Sequence, residues 1–325
     1  MKTPYVLLGV FVDSYITLRN TQCRYYNEYI SICLRVAKRM SYRQKRNKWM
    51  KQGTTGWERE NRVHFDEIVA NYDQIRWDYP DKLFQDALNY SGDVGKAIEI
   101  GAGTGKATLP FLQAGYQLTV VEMSRNMVNF LQDKYHGYSN FGIVHSTFEE
   151  SKLNDASYSV VYAASAFHWV DASIGCPKVM ELLKPGGAFV LFRNNAIPGE
   201  GELSVAVQAE YDKHYYSYYV IDNRPTSIYM MTEEDYLKPE ELYRGFRLNS
   251  LEEYGFIDVT MKLYTESKRY TASKYIMLLD TYSDHRALPD SNREALYSGI
   301  TKAINAHGGY MNLGCIFQLY MGRKP

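Results

Sequence analysis

A turn with three closely spaced glycines is the feature that most constrains the fold of this chain. In the run AIEIGAGTGKATL, four strand-forming residues lead into Gly101, Gly103 and Gly105, and a helical pattern follows. Glycine lets a strand turn sharply into a helix and lets a ligand lie against the backbone. The run therefore predicts a strand, a turn and a helix, with a ligand site where the strand ends.

The segments after Gly92 alternate between short β-rich runs and helical patterns. The β-rich runs are Ala97–Ile100, Leu118–Glu122, Gly142–His145, Tyr158–Ala163 and Ala188–Arg193, followed later by Phe256–Tyr264 and Gly314–Met321. The helical patterns among the first five runs are Ala107–Ala114, Ser124–Tyr135 and Cys176–Leu183. This alternation predicts an α/β fold with a doubly wound, seven-stranded, mostly parallel sheet. Ligands of such sheets bind at the carboxyl ends of the strands.

The flanking segments complete the predicted architecture. His64–Tyr72 and Pro80–Leu88 predict a helical N-terminal part, and Ser273–Tyr282 and Arg293–Ala306 predict helices near the C-terminus. The tyrosine-rich segment 194–250 is predicted to be a lid or substrate insertion between strands five and six. The expected organisation is a basic extension (1–52) and one domain (53–325), comprising N-terminal helices (53–91), a ligand-binding core (92–193), the insertion (194–250) and a C-terminal part (251–325).

Charge divides the chain unevenly. Residues 1–52 contain eleven Lys/Arg and two acidic residues, so they carry a charge of +9, whereas residues 53–325 carry −9 because the whole chain is neutral. An acidic core opposes phosphate binding, so a nucleic-acid partner is not expected for it. The basic extension has apolar residues at helical spacing and fits either an amphipathic surface helix on an anionic partner or a solvated helix packed on the domain.

The cysteine content and the hydropathy of the chain indicate in which cellular compartment it is expected. The chain has four cysteines, none of them in a C-x-x-C pair or a compact metal cluster, and this usage fits a reducing cytoplasm. No apolar run approaches the ~18 residues of a membrane span. We therefore expect a cytoplasmic protein without a metal site, and its oligomeric state stays open.

Two acidic residues at strand ends distinguish between possible ligands. Glu99 lies two residues before the first glycine, where its charge would repel a pyrophosphate but favour the cationic S-adenosylmethionine. Glu122 ends the second strand, 23 residues later, where an acid accepts hydrogen bonds from ribose hydroxyls. Gly105 comes one residue too early for a dinucleotide fingerprint. The pattern favours S-adenosylmethionine and leaves NAD as the alternative.

These motifs resemble those of a known family. E-x-G-x-G-x-G at 99–105, together with Glu122, resembles motif I and the following acidic strand end of class I S-adenosylmethionine-dependent methyltransferases, which have a Rossmann-like fold. Four further segments are similar to the methyltransferase type 11, trans-aconitate methyltransferase-like branch that acts on small molecules. These segments are Phe65–Leu83, Ser165–Asp171, Leu182–Gly187 and Leu278–Pro289.

The resemblance implies a role for particular residues. The implied cofactor-binding residues are Tyr72, Arg76, Glu99, Gly101, Gly103, Gly105, Glu122, Met123, Thr147, Phe148 and Ala164. Arg76 would pair with a carboxylate of the cofactor or of the substrate. His168 is the candidate catalytic base or orienting group, and Trp169, Arg193 and Tyr215 are the candidate substrate residues. A carboxylate acceptor would need no base, because it is already ionised.

The sequence thus predicts an enzyme that transfers a methyl group from S-adenosylmethionine to an O or N nucleophile of a small molecule, with carboxylates among the acceptors. Three alternatives stay open: an NAD-dependent oxidoreductase, a methyltransferase acting on a macromolecule, and a domain that binds the cofactor without catalysis.

Overall fold

The computed structural model describes residues 69–219 and 248–325. The predicted basic extension (1–52), the domain boundary at residue 53 and the start of the first predicted helix lie outside these residues. So does most of the predicted insertion, because residues 220–247 are not among those described.

The structure contains a seven-stranded sheet with the strand order β3-β2-β1-β4-β5-β7-β6. The strands are β1 (Lys96–Ile100), β2 (Gln117–Glu122), β3 (Phe141–His145), β4 (Tyr158–Ala164), β5 (Leu183–Pro198), β6 (Ile257–Thr271) and β7 (Tyr310–Arg323). The helices are α1 (Val69–Ile75), α2 (Asp81–Ser91), α3 (Thr108–Gln113), α4 (Arg125–Tyr135), α5 (Ala172–Leu182), α6 (Glu202–His214), α7 (Leu248–Glu253), α8 (Ala272–Leu279), α9 (Ser283–Arg286) and α10 (Asp290–Ala306).

Four of the six strand pairings are parallel, and β7 runs antiparallel to both of its neighbours. The prediction of seven strands is confirmed, but strand alternation alone did not predict the reversal of β7. Its cause is visible in the register, where Tyr310 at the start of β7 pairs with Thr271 at the end of β6. Helices α8 to α10 return the chain to the end of the sheet that it had just left, so β7 must run backwards.

The fifth strand is longer than its sequence pattern indicates. Asn194 to Pro198 continue the ladder with β7, with Asn194 opposite Phe317 and Pro198 opposite Leu313. This corrects the predicted start of the insertion at residue 194. The run NNAIP has little β-propensity of its own, and the hydrogen bonds of β7 supply what the local sequence lacks.

The chain reverses its direction of strand addition between β1 and β4. From β1 it proceeds outward to β2 and β3, and it then crosses back to place β4 on the other side of β1. The crevice at such a switch point, at the carboxyl ends of the strands, is where open α/β sheets bind ligands. Buried strands hold this edge rigidly, since Ile98 and Val161 are fully buried and the rings of Phe111 and Tyr162 stack at 3.9 Å.

Within the described ranges, no helix is long and apolar enough to cross a membrane. The same ranges contain no group of His, Cys, Asp or Glu that could hold a metal ion.

Candidate functional site

A cavity lies at the switch point. Its walls are the glycine turn, the ends of β2 and β4, the loop after β3 and the segment that follows α1. It contains about 1090 Å³ of empty space, part of which is open to solvent. Its place at the carboxyl ends of the strands is where open α/β sheets bind ligands.

The glycine turn is shaped by two close approaches. Gly101 has φ +64°, and a Cβ there would lie 2.7 Å from the Cβ of Ala166. Gly105 has φ +79°, and a Cβ there would lie 2.8 Å from atoms of Leu131 and Tyr135. Gly101 therefore lets the turn approach the loop after β4 at the cavity, whereas Gly105 lets it pack on α4. Gly105 is not among the lining residues, so its predicted contact with a cofactor stays a prediction.

Glu122 presents a fixed carboxylate to the cavity. Its Oε2 accepts a hydrogen bond from the Gly103 amide at 2.9 Å, and its Oε1 accepts one from the Ser124 amide at 2.9 Å. The side chain is only 5% exposed, and burial raises its pKa above the usual value. Because each carboxylate oxygen can accept a further bond, Glu122 is prepared to accept hydrogen bonds from a diol.

Glu99 lies beneath the turn and does not line the cavity. Its Oε2 accepts hydrogen bonds from Thr108 Oγ1 at 2.6 Å and from the Tyr162 hydroxyl at 3.0 Å. Its Oε1 is buried and has no hydrogen-bond partner in the described part of the chain. Burial raises the pKa of this carboxyl to about 7. Direct contact between Glu99 and an ammonium group therefore stays a prediction. Any charge on Glu99 acts on a ligand in the cavity through the electrostatic potential rather than through contact.

Arg76 lines the cavity between two aromatic rings. Its guanidinium carbon lies 4.2 Å from the ring centroid of Tyr282 and 4.9 Å from that of Tyr72. Nη2 donates a hydrogen bond to the Thr281 carbonyl at 2.6 Å, while Nε is buried without a partner among the described residues. The stacked rings hold the guanidinium in place, so its Nε is available to an acceptor on a ligand.

Two more polar groups of the cavity walls are buried without partners in the described ranges. They are Nε1 of Trp77 and Oγ1 of Thr104. A buried polar group left unpaired costs about 1–3 kcal/mol, so such groups generally have a ligand or a water. Sequence reasoning missed both residues, although Thr104 lies inside the glycine turn and Trp77 directly follows Arg76.

The remaining predicted cofactor residues converge at the same cavity. Met123 follows Glu122, Thr147 and Phe148 follow β3, and Ala164 ends β4; all four line the cavity. They are brought together because β1 to β4 are parallel and end at one edge of the sheet.

A pair of hydroxyl groups at the end of β4 was missed by the sequence analysis. The Tyr79 hydroxyl donates to Ser165 Oγ at 2.9 Å, and both residues line the cavity. Burial raises the pKa of Tyr79, so it stays protonated and acts as the donor. Ser165 has φ +52°, an uncommon conformation for a residue with a side chain. A strained serine at a ligand-binding edge suggests a functional constraint.

Comparisons with known proteins agree with this geometry. Residues 98–191 match a family model described as a methyltransferase domain. An uncharacterised methyltransferase of Mycobacterium tuberculosis is 29% identical over 136 residues, covering 42% of this chain and 54% of that protein. One of Schizosaccharomyces pombe is 23% identical over 248 residues, covering 74% of this chain and 86% of that protein.

Residues 98–191 are therefore similar to a methyltransferase domain. This match supports the predictions of a methyltransferase and of S-adenosylmethionine as its cofactor. The chain spans about half the length (54%) of the mycobacterial relatives that it matches. A solved structure described as a type II methyltransferase from Anaeromyxobacter dehalogenans shares the fold, with a TM-score of 0.51 and 18% identity, over 76% of this chain and 97% of that one.

The candidate catalytic and substrate residues lie farther apart than the candidate cofactor-binding residues. Trp169 lines the cavity, and the ring of the exposed His168 lies 5.0 Å from its ring. Arg193 adjoins Asn194, which does line the cavity; because strand side chains alternate, Arg193 belongs to the opposite face. His168 and Arg193 are absent from the lining formed by the described residues, and their roles stay predictions.

Tyr215 lies away from the cavity. It is 3% exposed, and its hydroxyl donates to Asp284 Oδ2 at 2.5 Å. The neighbouring Tyr211 and Tyr219 are hydrogen-bonded to His285 and Asp284, respectively. These three tyrosines therefore pack on α9, and contact of Tyr215 with a substrate stays a prediction.

Proposed function

We propose that this chain transfers the methyl group of S-adenosylmethionine to an O or N nucleophile of a small molecule, with a carboxylate as the favoured acceptor. The observation that carries this proposal is the carboxylate of Glu122, which two backbone amides fix on the wall of a cavity that also contains the partnerless Nε of Arg76. An acceptor for a diol and a donor for an anion thus share one cavity, as a nucleoside joined to an amino acid requires.

The residues present fit that cofactor. Glu122 would accept hydrogen bonds from the ribose, while Met123 and Phe148 would offer apolar surfaces to the adenine. Arg76 Nε and Thr104 Oγ1 are buried polar atoms that a carboxylate would satisfy. The close approach at Gly101 shapes a wall of backbone along which the ligand can lie. When bound, the cofactor supplies an activated, electrophilic methyl group.

The chain's own contribution is alignment and exclusion of water. Methyl transfer is an in-line displacement that disperses charge, so positioning and desolvation matter more than proton transfer. Ser165 Oγ accepts a hydrogen bond from the Tyr79 hydroxyl. The hydroxyl hydrogen of Ser165 can therefore be donated to an acceptor oxygen and orient it. Trp169 and Asn194 complete this side of the cavity.

Some methyl acceptors need no general base, because they are already ionised. A carboxylate is such an acceptor at neutral pH. A hydroxyl acceptor would need a base, and His168 is the candidate. Under this proposal His168→Ala leaves methylation of carboxylates unchanged and slows that of hydroxyl acceptors; equal loss on both would contradict it.

Calorimetry with S-adenosylmethionine, S-adenosylhomocysteine and NAD tests the proposal most directly. We expect binding of the first two and no binding of NAD. Tight binding of NAD with no response to the other two would refute the proposal. Acceptors are then sought by following transfer of a radiolabelled methyl group to panels of carboxylic acids, amines and alcohols, including polycarboxylic acids, since the sequence resembles the trans-aconitate methyltransferase-like branch.

A macromolecular acceptor is the second candidate, and one observation favours it. Residues 1–52 carry a charge of +9, which could hold an anionic partner near the domain. Removal of residues 1–49 separates the two candidates. Unchanged turnover of a small acceptor by the truncated chain supports the first candidate, whereas loss of methylation of RNA or protein with cofactor binding intact supports the second.

A further inference from the structure

Lys178 lies on α5, outside the cavity, and holds the loop that follows β3. Its Nζ lies 2.7 Å from the carbonyl oxygen of Phe148, 3.2 Å from that of Glu149 and 2.5 Å from that of Ser151. It also lies 3.1 Å from Ser151 Oγ. An ammonium group has three donors, so this cluster of oxygens uses its full hydrogen-bonding capacity.

The loop is a single tight turn whose carbonyl oxygens accept hydrogen bonds from the ammonium group. The Ser151 amide donates to the Thr147 carbonyl at 3.1 Å and to the Phe148 carbonyl at 3.3 Å. Carbonyl groups at the end of such a turn carry partial negative charge that a cation stabilises. Nζ also lies 5.1 Å from the ring centroid of Phe148. The ammonium therefore restrains both the backbone of the turn and its aromatic side chain.

The other side of the same loop faces the cavity. Thr147, Phe148 and Glu149 are lining residues, although the β3 ladder has already ended at His145. A second contact comes from Asp171, directly before α5, whose amide donates a hydrogen bond to Glu149 Oε1 at 3.4 Å. Beyond the end of the β3 ladder, these contacts tie this wall to α5.

We propose that Lys178 is a positioning residue for the adenine end of the cofactor, acting through the Thr147–Glu149 loop. This inference rests on the proposed function, in which Met123 and Phe148 flank the adenine. Loss of the ammonium frees the loop without touching Glu122 or the glycine turn. Binding of adenine-containing ligands then weakens, even though Lys178 contacts no ligand.

Three variants of the full chain test this. Lys178→Met keeps the alkyl stem without the charge, Lys178→Arg keeps a cationic donor, and Lys302→Met changes an exposed lysine on α10 as a matched control. Calorimetry measures the affinity of each for S-adenosylhomocysteine and for adenosine, and thermal unfolding is followed in parallel. We expect Lys178→Met to weaken both ligands about ten-fold, which corresponds to about 1.4 kcal/mol. Lys178→Arg should recover most of this loss, and Lys302→Met should bind as the wild type does.

Several results would overturn the assignment. One is a lower unfolding temperature in Lys178→Met with both affinities unchanged, which is the behaviour of a purely structural lysine. Another is weaker binding of S-adenosylhomocysteine with unchanged binding of adenosine. If Lys178→Met does not fold, Lys178→Gln, which replaces the ammonium by a shorter neutral amide, is measured in the same way, and wild-type affinity would again overturn it. A wild-type chain that binds neither ligand refutes the proposed function itself, and the inference falls with it.

Discussion

The buried carboxyl of Glu99 makes the stability of this protein depend on pH in a direction that can be derived. Burial raises its pKa from 4.5 to about 7. Below about pH 4.5 the carboxyl is protonated in both the folded and the unfolded chain. Between these values the folded chain keeps a proton that the unfolded chain has released. The free energy of unfolding therefore falls as the pH rises through this window, and the full cost of the buried charge is present above pH 7.

The magnitude follows from the size of the shift. A rise of about 2.5 pH units corresponds to about 3 kcal/mol at about 1.4 kcal/mol per unit. Glu99→Gln removes the titration, and its carbonyl oxygen can still accept from Thr108 and Tyr162, which both donate to Oε2. Relative to the wild type, the variant should gain about 3 kcal/mol of stability between about pH 4.5 and pH 8.

Urea unfolding of the ligand-free chain at a series of pH values measures this difference. The comparison uses its change with pH rather than its absolute value, because the new amide nitrogen adds an offset that does not titrate. Glu294→Gln, at an exposed position on α10, is the matched control and should run parallel to the wild type. Parallel curves for Glu99→Gln as well would refute the raised pKa and the argument built on burial.

Three further predictions concern the cavity and its surroundings. Glu122→Ala should weaken binding of S-adenosylhomocysteine by about 1–3 kcal/mol in calorimetry, the scale for a charged hydrogen-bond partner, and unchanged affinity would refute its assignment to the ribose. Gly101→Ala should lower the unfolding temperature because of its φ of +64° and the 2.7 Å approach to Ala166, and Ala166→Gly in the same chain should recover part of the loss; no recovery would mean that the approach is unimportant. Tyr215→Phe should cost about 1–3 kcal/mol of stability through the lost bond to Asp284 while leaving S-adenosylhomocysteine affinity intact, and a loss of affinity would return Tyr215 to the binding site.

The predicted fold agrees with the structure where the signals are local. The glycine turn, the short strands β1 to β4 and helices α2 and α4 appear near their predicted positions. Two features were wrong or missing: the extension of β5 to Pro198 and the antiparallel direction of β7. Both depend on which strand lies alongside, and a ladder partner distant in sequence leaves no periodic pattern in the segment that it stabilises.

The candidate site divides in the same way. Gly101, Gly103, Glu122 and Met123 lie at the ends of adjacent parallel strands, so their spacing alone predicts that they meet at one cavity. Lys178 lies on a later helix and contacts the loop after β3 only when the chain has folded, so no spacing in the sequence predicts this contact.

The sequence by itself determined that a strand, a glycine turn and an acidic strand end would meet at one cavity, because turn chemistry and strand periodicity act over a few residues. Only the tertiary structure decided the environment of each group. It buried Glu99 against Thr108 and Tyr162, and it placed the hydroxyl of Tyr215, which follows α6, against Asp284 of α9. Burial and hydrogen-bond partners are set by neighbours remote in sequence, so pKa values and contacts emerge only when the chain has folded.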